Sequence, residues 1–323
     1  MNKSLILATA QGIVLCEKTG SDWRFVRGGL EGRYITSLTA QDGVILAGTR
    51  QGIFRSTDQG NSWNNASAGL EHPHIRWLAS DPQSTGVHLA GSEPAGIFLS
   101  QDGGETWHGR PEVTQLRQQH RWSLPYSPEA GCVRGFAFHG KRVYAAVEVG
   151  GVLVSEDGGK NWQLVEGSPG STQLNNASRV DADVHSIAVH PTSPDLVYAP
   201  TGGGFYRSMD GGKNWRLRYR CYCRAVWVNP TDPDHLILGP ADYVDRNGRI
   251  EESLDGGQSW RPASPELSVP WPRHMVERFF QAGDELLAVL SNGDLLVTPL
   301  AALAWRRIIR EAQGVTAVAN LMP

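Results

Sequence analysis

The chain has 323 residues, 40% of them apolar and 20% charged, and its 30 Lys and Arg against 33 Asp and Glu leave a formal net charge of −3. That balance excludes a disordered chain, which would have too little apolar surface to bury, and it lacks the basic excess of a nucleic-acid binder. No apolar run reaches the roughly 18 residues of a membrane-spanning helix, and four cysteines are too few for a disulfide scaffold.

Cys221 and Cys223 are separated by one residue, which suits neither a mutual disulfide nor zinc spacing. A reducing, cytoplasmic setting is therefore expected. Two residue types are in excess: 37 glycines, and 11 tryptophans against 8 phenylalanines and 8 tyrosines.

In chain order, residues 4–10 form an apolar run that superficially suits a signal peptide. Gln11 and Gly12 break it, and Glu17 and Lys18 follow, so it reads as a strand of the mature protein. Further on, short runs rich in β-branched residues come in sets, such as 35–38, 44–47 and 53–55, then 133–138, 143–146 and 152–154. Glycine-containing turns separate them, as at Gln51-Gly52 and Gly150-Gly151, and this is the pattern of strands.

Each set ends in one octapeptide, S-x-D-x-G-x-x-W, which recurs at residues 56–63, 100–107, 155–162, 208–215 and 253–260. Degenerate copies end at Trp23 and Trp305, so seven tryptophans follow one another at a mean spacing of 47 residues. Four short strands per unit of about 40–50 residues, repeated radially, make a β-propeller.

The expected fold is all-β, a seven-bladed β-propeller with four-stranded antiparallel blades in a single domain over residues 1–323. The expected blades are 315–323 plus 1–33, 34–74, 75–131, 132–182, 183–222, 223–274 and 275–314. Residues 315–321 repeat the first-strand pattern and residues 4–10 the second. A C-terminal strand is therefore expected to complete the N-terminal blade, which removes two exposed sheet edges.

The octapeptide resembles the Asp box, or BNR repeat, of sialidases, sortilin-type receptors, some endoglucanases and Ycf48-like assembly factors. The resemblance implies a propeller and leaves the activity open, because one repeat serves enzymes and scaffolds alike. The sialidases usually have six blades and an Arg-Ile-Pro motif near the start, and neither is found here, so their arginine cluster is not carried over. The endoglucanases place a cleft between two such propellers, and one is present here.

The box aspartates, Asp58, Asp102, Asp157, Asp210 and Asp255, are expected at the turn between the third and fourth strands, accepting backbone N–H groups. Five identical carboxylates around a ring read as framework, on the face away from the ligand mouth.

The mouth is read from the innermost strands. One position past the leading apolar residue, the seven units carry Thr36, Arg76, Arg134, His185, Arg224, Glu277 and Thr316. Connections opening on the same side add Glu93, Glu148, Asp242 and Tyr243, and long connections at 108–131, 166–183 and 262–275 add Trp122, Asp181 and Asp183.

The expected substrate-binding set is Arg76, Arg134, Arg224, Trp122 and Tyr243, because guanidinium forks suit anionic groups. The expected acid–base set is His185, Glu93, Glu148, Asp242 and Glu277. A ladder that only neutralises the channel mouth would use the same residues.

No cofactor is required. Asp181, Asp183 and His185, with Glu93 and Glu148, allow a divalent metal, although the arginines oppose it.

These features lead to a soluble, monomeric hydrolase acting on a small polar or anionic ligand of the ester, phosphoester or glycoside class, with no nucleic-acid or membrane partner. The alternative is a non-catalytic protein-binding or assembly scaffold of the Ycf48-like type.

Overall fold

Short alternating strands cut by glycine turns pair into seven four-stranded antiparallel sheets in the computed structural model, which describes residues 4–20, 22–127, 130–170, 178–309, 312 and 314–321. The fold is the expected seven-bladed β-propeller. The N-terminal blade runs Val315–Leu321, Ser4–Thr9, Gly12–Thr19, Asp22–Gly29. Leu5 faces Asn320 and Leu7 faces Val318 across the closing pair. Neither end of the chain could satisfy its backbone groups alone, and this pairing satisfies both.

The chain divides into two compact units: Met1–Ser92, Phe98–Gly109 and Arg278–Pro323 form the first, Glu93–Ile97 and Arg110–Glu277 the second. In the first, Leu46, Ile53, Ile75, Phe98 and Trp107 build one apolar cluster between neighbouring sheets. In the second, Tyr144, Val152, Val184, Val197 and Trp215 do the same. Each such side chain, taken fully out of water, contributes about 1.5–3 kcal/mol.

The Asp boxes are self-contained. In the box of Asp157, Ser155 Oγ donates to the carboxylate at 2.8 Å and accepts the Gly159 N–H at 2.9 Å. Asp157 Oδ1 then accepts the N–H groups of Lys160 and Asn161, and Oδ2 accepts the Asn161 side chain. These bonds outweigh partial burial and hold the Asp157 carboxyl down at about 2. The Trp162 indole N–H closes the turn on the Gly159 carbonyl at 3.0 Å. Trp107 departs from this and reaches the preceding blade, donating to Ala66 at 2.9 Å.

A β-bulge recurs near the start of the innermost strands. Register shifts fall at Thr36, at Arg76, at Arg134 and between Cys223 and Val226, and Thr316 is skipped opposite Ala8 and Thr9. Each of these is a position that the sequence alignment singles out, or contains one, as Cys223–Val226 contains Arg224. A bulge leaves one residue out of the ladder and re-aims its side chain. Thr316 Oγ1 donates to Ile35 O at 2.6 Å, and Thr36 Oγ1 to Ile75 O at 2.5 Å.

Two expectations change. The innermost strand expected over residues 184–189 is regular only over Ala188–His190. Before it lies one isolated bridge, Val184 to Thr201, beside which the His185 N–H donates to Pro200 O at 2.9 Å. The connection at 108–131 holds an α-helix, Pro111–His120, with proline in its first turn and Val113 as its buried residue. Glu112 accepts the Trp162 N–H at 3.1 Å and Arg110 donates to Lys160 O at 3.1 Å, so the helix start is tied to an Asp box, not to the mouth.

Candidate functional site

In the second unit, bulges and strand ends bring charged residues of four sheets together. Arg134, at the bulge of Cys132–His139, donates to Glu148 Oε2 at 3.0 Å, and Glu148 ends the neighbouring strand Arg142–Glu148. The other side of the guanidinium lies 3.6 Å from Glu277 Oε2. Arg224 pairs with the second oxygen of Glu277. One carboxylate thus serves two arginines. Burial works against the charge of Arg134, but Glu148, then Cys132 and Glu277, raise its affinity for the proton above the ordinary arginine value.

The line continues through Tyr222. Arg224 Nε donates to the Tyr222 hydroxyl at 3.2 Å, and that hydroxyl lies 3.4 Å from His185 Nε2. Burial pushes the Tyr222 phenol up to about 12, so it stays protonated. His185 is 1% exposed, with Nδ1 2.9 Å from the Cys223 carbonyl and Nε2 3.2 Å from Asp183 Oδ1. Asp181 Oδ1 accepts the Asp183 N–H at 2.8 Å. Burial, and then the charge of Asp183, raise the Asp181 carboxyl above the usual carboxylate range.

Both aspartates press on the Gly202-Gly203 backbone. A Cβ at Gly202 would collide with the Asp183 carboxylate, and one at Gly203 with that of Asp181.

Of the expected residues, Arg134, Glu148, His185, Arg224 and Glu277 converge here. Asp242 and Tyr243 flank a separate cavity of about 350 Å³, lined also by Gly202, Gly203, Tyr222 and Arg249. Tyr243 is 66% exposed, and its ring lies 6.1 Å from that of Tyr222. Asp242 accepts from Asn247 at 2.9 Å and Arg249 at 3.1 Å, and these bonds lower its pKa.

Trp122 is buried, donates to Gly170 O at 2.7 Å and packs on Gly150. Glu93 is half-buried at the start of the second unit. Arg76 belongs to the first unit, where burial and then its charge hold His74 down at about 4.

Two members escaped the sequence reading. Tyr222 had a signal, since it precedes Arg224 by two residues on one strand. Cys132 begins an innermost strand, two residues before Arg134, and its thiol donates to Glu148 Oε2 at 3.2 Å. All four cysteines are free. No helix among the described residues is long and apolar enough to cross a membrane.

The arrangement has definite electrostatics. Two guanidinium cations, Arg134 and Arg224, stand against three carboxylates, Glu148, Asp183 and Glu277, so the arginines are already neutralised. The Glu148, Asp183 and His185 donor atoms lie within 4.8 Å of one another. Asp183 is the most exposed of the three, at 31%.

Comparison with known proteins agrees with this architecture. The BNR/Asp-box repeat model matches residues 98–108. An oligoxyloglucan reducing-end-specific xyloglucanase of Emericella nidulans is 27% identical over 154 residues, 46% of this chain, and the match spans 16% of that enzyme's length.

The GH74 xyloglucanase of Xanthomonas campestris superposes with a TM-score of 0.65 at 16% identity, over 95% of this chain and 47% of that one. YCF48 with a bound D1 peptide gives 0.59 at 16% identity over 92% and 93% of the two chains, and YCF48 of Cyanidioschyzon merolae gives 0.61 at 13% over 93% and 97%. The chain is a BNR/Asp-box repeat β-propeller, similar in fold to the GH74 xyloglucanases and to YCF48.

Proposed function

We propose that the second unit binds a neutral, hydroxyl-rich ligand and hydrolyses a glycosidic bond in it. The observation that carries this reading is the close grouping of Glu148, Asp183 and His185 beside arginines that carboxylates already neutralise. An anionic ligand would meet a local excess of negative charge. A sugar, by contrast, offers hydroxyls for carboxylates to accept and an acetal oxygen to protonate.

Asp181 and Asp183 sit in environments that separate their roles. Asp181 holds its proton more tightly and suits a general acid. Asp183, 31% exposed and facing His185, is placed for the base side. The sequence similarity to a xyloglucanase supports the glycoside class.

The test is a panel of chromogenic glycosides with the wild-type chain, Asp183→Asn and Glu148→Gln. Turnover by the wild type, and a loss of about 10²-fold or more in both variants at unchanged melting temperature, is expected. No turnover of any glycoside by the wild type, or wild-type turnover in both variants, sinks the reading.

A second reading, a protein-binding scaffold, is favoured by one observation: the YCF48 matches cover nearly all of both chains. The 350 Å³ cavity beside exposed Tyr243 would then receive a peptide. In that case Tyr243→Ala weakens partner binding and Glu148→Gln does not.

A further inference from the structure

We propose that Glu148, Asp183 and His185 form a binding site for a divalent transition-metal cation, Mn²⁺ or Zn²⁺. The inference shares residues with the hydrolase reading but is read by metal binding itself, so the two fail separately.

His185 Nδ1 lies 2.9 Å from the Cys223 carbonyl oxygen. A carbonyl only accepts, so Nδ1 carries the proton, and in the singly protonated ring Nε2 presents a lone pair. That lone pair faces Asp183 Oδ1 at 3.2 Å. The carboxylate oxygen is itself buried and has no hydrogen-bond donor. With a single ring proton, held on Nδ1, two acceptors point at each other across this contact, and a second ring proton or a metal cation is what can join them.

The Tyr222 hydroxyl, 3.4 Å from Nε2, leaves the conflict in place: it has a single proton to give, and Asp183 Oδ1 is still without a donor. A cation between the two atoms removes the conflict.

The third donor and the surroundings fit. Glu148 brings its carboxylate within 4.8 Å of both atoms. In a tetrahedral shell, ligands bonded at about 2.0–2.2 Å lie about 3.4 Å apart, close to the 3.2 Å between His185 Nε2 and Asp183 Oδ1, so closing the site takes a movement of Glu148 by up to about 1.4 Å. The Nδ1–H to carbonyl bond is the outer-shell contact that orients a metal-ligating histidine.

Two carboxylates balance the charge of the ion, and Glu277 shares the nearest guanidinium, Arg134. One imidazole with two carboxylates suits Mn²⁺ or Zn²⁺ better than Ca²⁺, which prefers six or more oxygens. An ion here would lower the pKa of a bound water beside Asp181.

The test is calorimetric titration of metal-stripped full-length protein with MnCl₂ and ZnCl₂. The expected result is one site per chain, with affinity lowered at least tenfold in His185→Ala and in Asp183→Asn, and unchanged in Glu156→Gln, which alters an exposed carboxylate paired with Arg142. Circular dichroism checks that each variant is folded. As a second readout, the ¹⁵N shifts of the His185 ring should move on addition of Zn²⁺. The proposal is overturned by the absence of a site, by wild-type affinity in either ligand variant, or by a His185 ring that is doubly protonated and does not respond to metal.

Discussion

Thr36 Oγ1 donates to the carbonyl of Ile75, the residue just before bulged Arg76 in the next blade. His185 makes the same kind of link to Cys223, the residue just before Arg224. A recurring framework bond is thus made by threonine in one place and, at the candidate site, by a ring with a second nitrogen left over. Thr36→Val should cost about 1 kcal/mol, the value of one net hydrogen bond. Urea denaturation checks it, with an unchanged slope and a lower midpoint.

Glu277 is the shared counter-ion of Arg134 and Arg224. Glu277→Gln should remove the counter-ion of Arg224 beside Arg134, which keeps only Glu148, and cost about 2 kcal/mol. That is less than the roughly 3–5 kcal/mol of a fully buried pair, because solvent partly screens these groups. Added salt should recover part of the loss. A melting temperature that neither falls nor responds to salt would contradict the geometry.

The Asp157 carboxyl titrates at about 2 in the folded chain against an ordinary 3.8. A depressed carboxylate stabilises the fold above its unfolded pKa, and the contribution disappears as pH falls through the folded value. Asp58, Asp102 and Asp255 are held equally low, and Asp210 is lowered too. Stability should therefore fall steeply between about pH 4 and pH 2. Asp157→Ala should melt lower at pH 7, lose less between pH 4 and pH 2 than the wild type, and keep its ligand specificity.

Trp122 offers its indole N–H to Gly170 O and a ring face to Gly150. Trp122→Phe should cost about 1 kcal/mol through the lost bond and leave ligand affinity unchanged. A selective loss of affinity at constant stability would place the ring in the pocket after all. Melting and binding measured on one preparation distinguish the outcomes.

A methyl group at Gly202 has no space beside the Asp183 carboxylate. Gly202→Ala should push Asp183 away from His185, abolishing metal binding and turnover while the fold survives. Calorimetry and circular dichroism together test this.

The seven blades, the box chemistry and the closing strand were legible because each is local or periodic. An Asp box finds its serine, glycine and backbone partners within four residues, and a repeat of 47 residues lets equivalent positions be counted off. That counting also reached the bulged positions Arg134 and Arg224 of the innermost strands, and His185 just ahead of another such strand.

Their partners were another matter. The sharing of Glu277 by two arginines joins side chains from three blades, and the contact of Asp183 with His185 depends on how closely the Gly202-Gly203 backbone approaches. The helix Pro111–His120 was hidden because its sequence is almost wholly polar, with Val113 its one buried residue, and its place is set by the bond from Trp162 to Glu112. Trp122 has the composition of a ligand platform, and only packing against Gly150 makes it framework. The sequence determined where charge would gather, since repeat period and strand alternation act along the chain. The tertiary structure decided which charges cancel and which remain exposed to a ligand, since pairing depends on distances between blades.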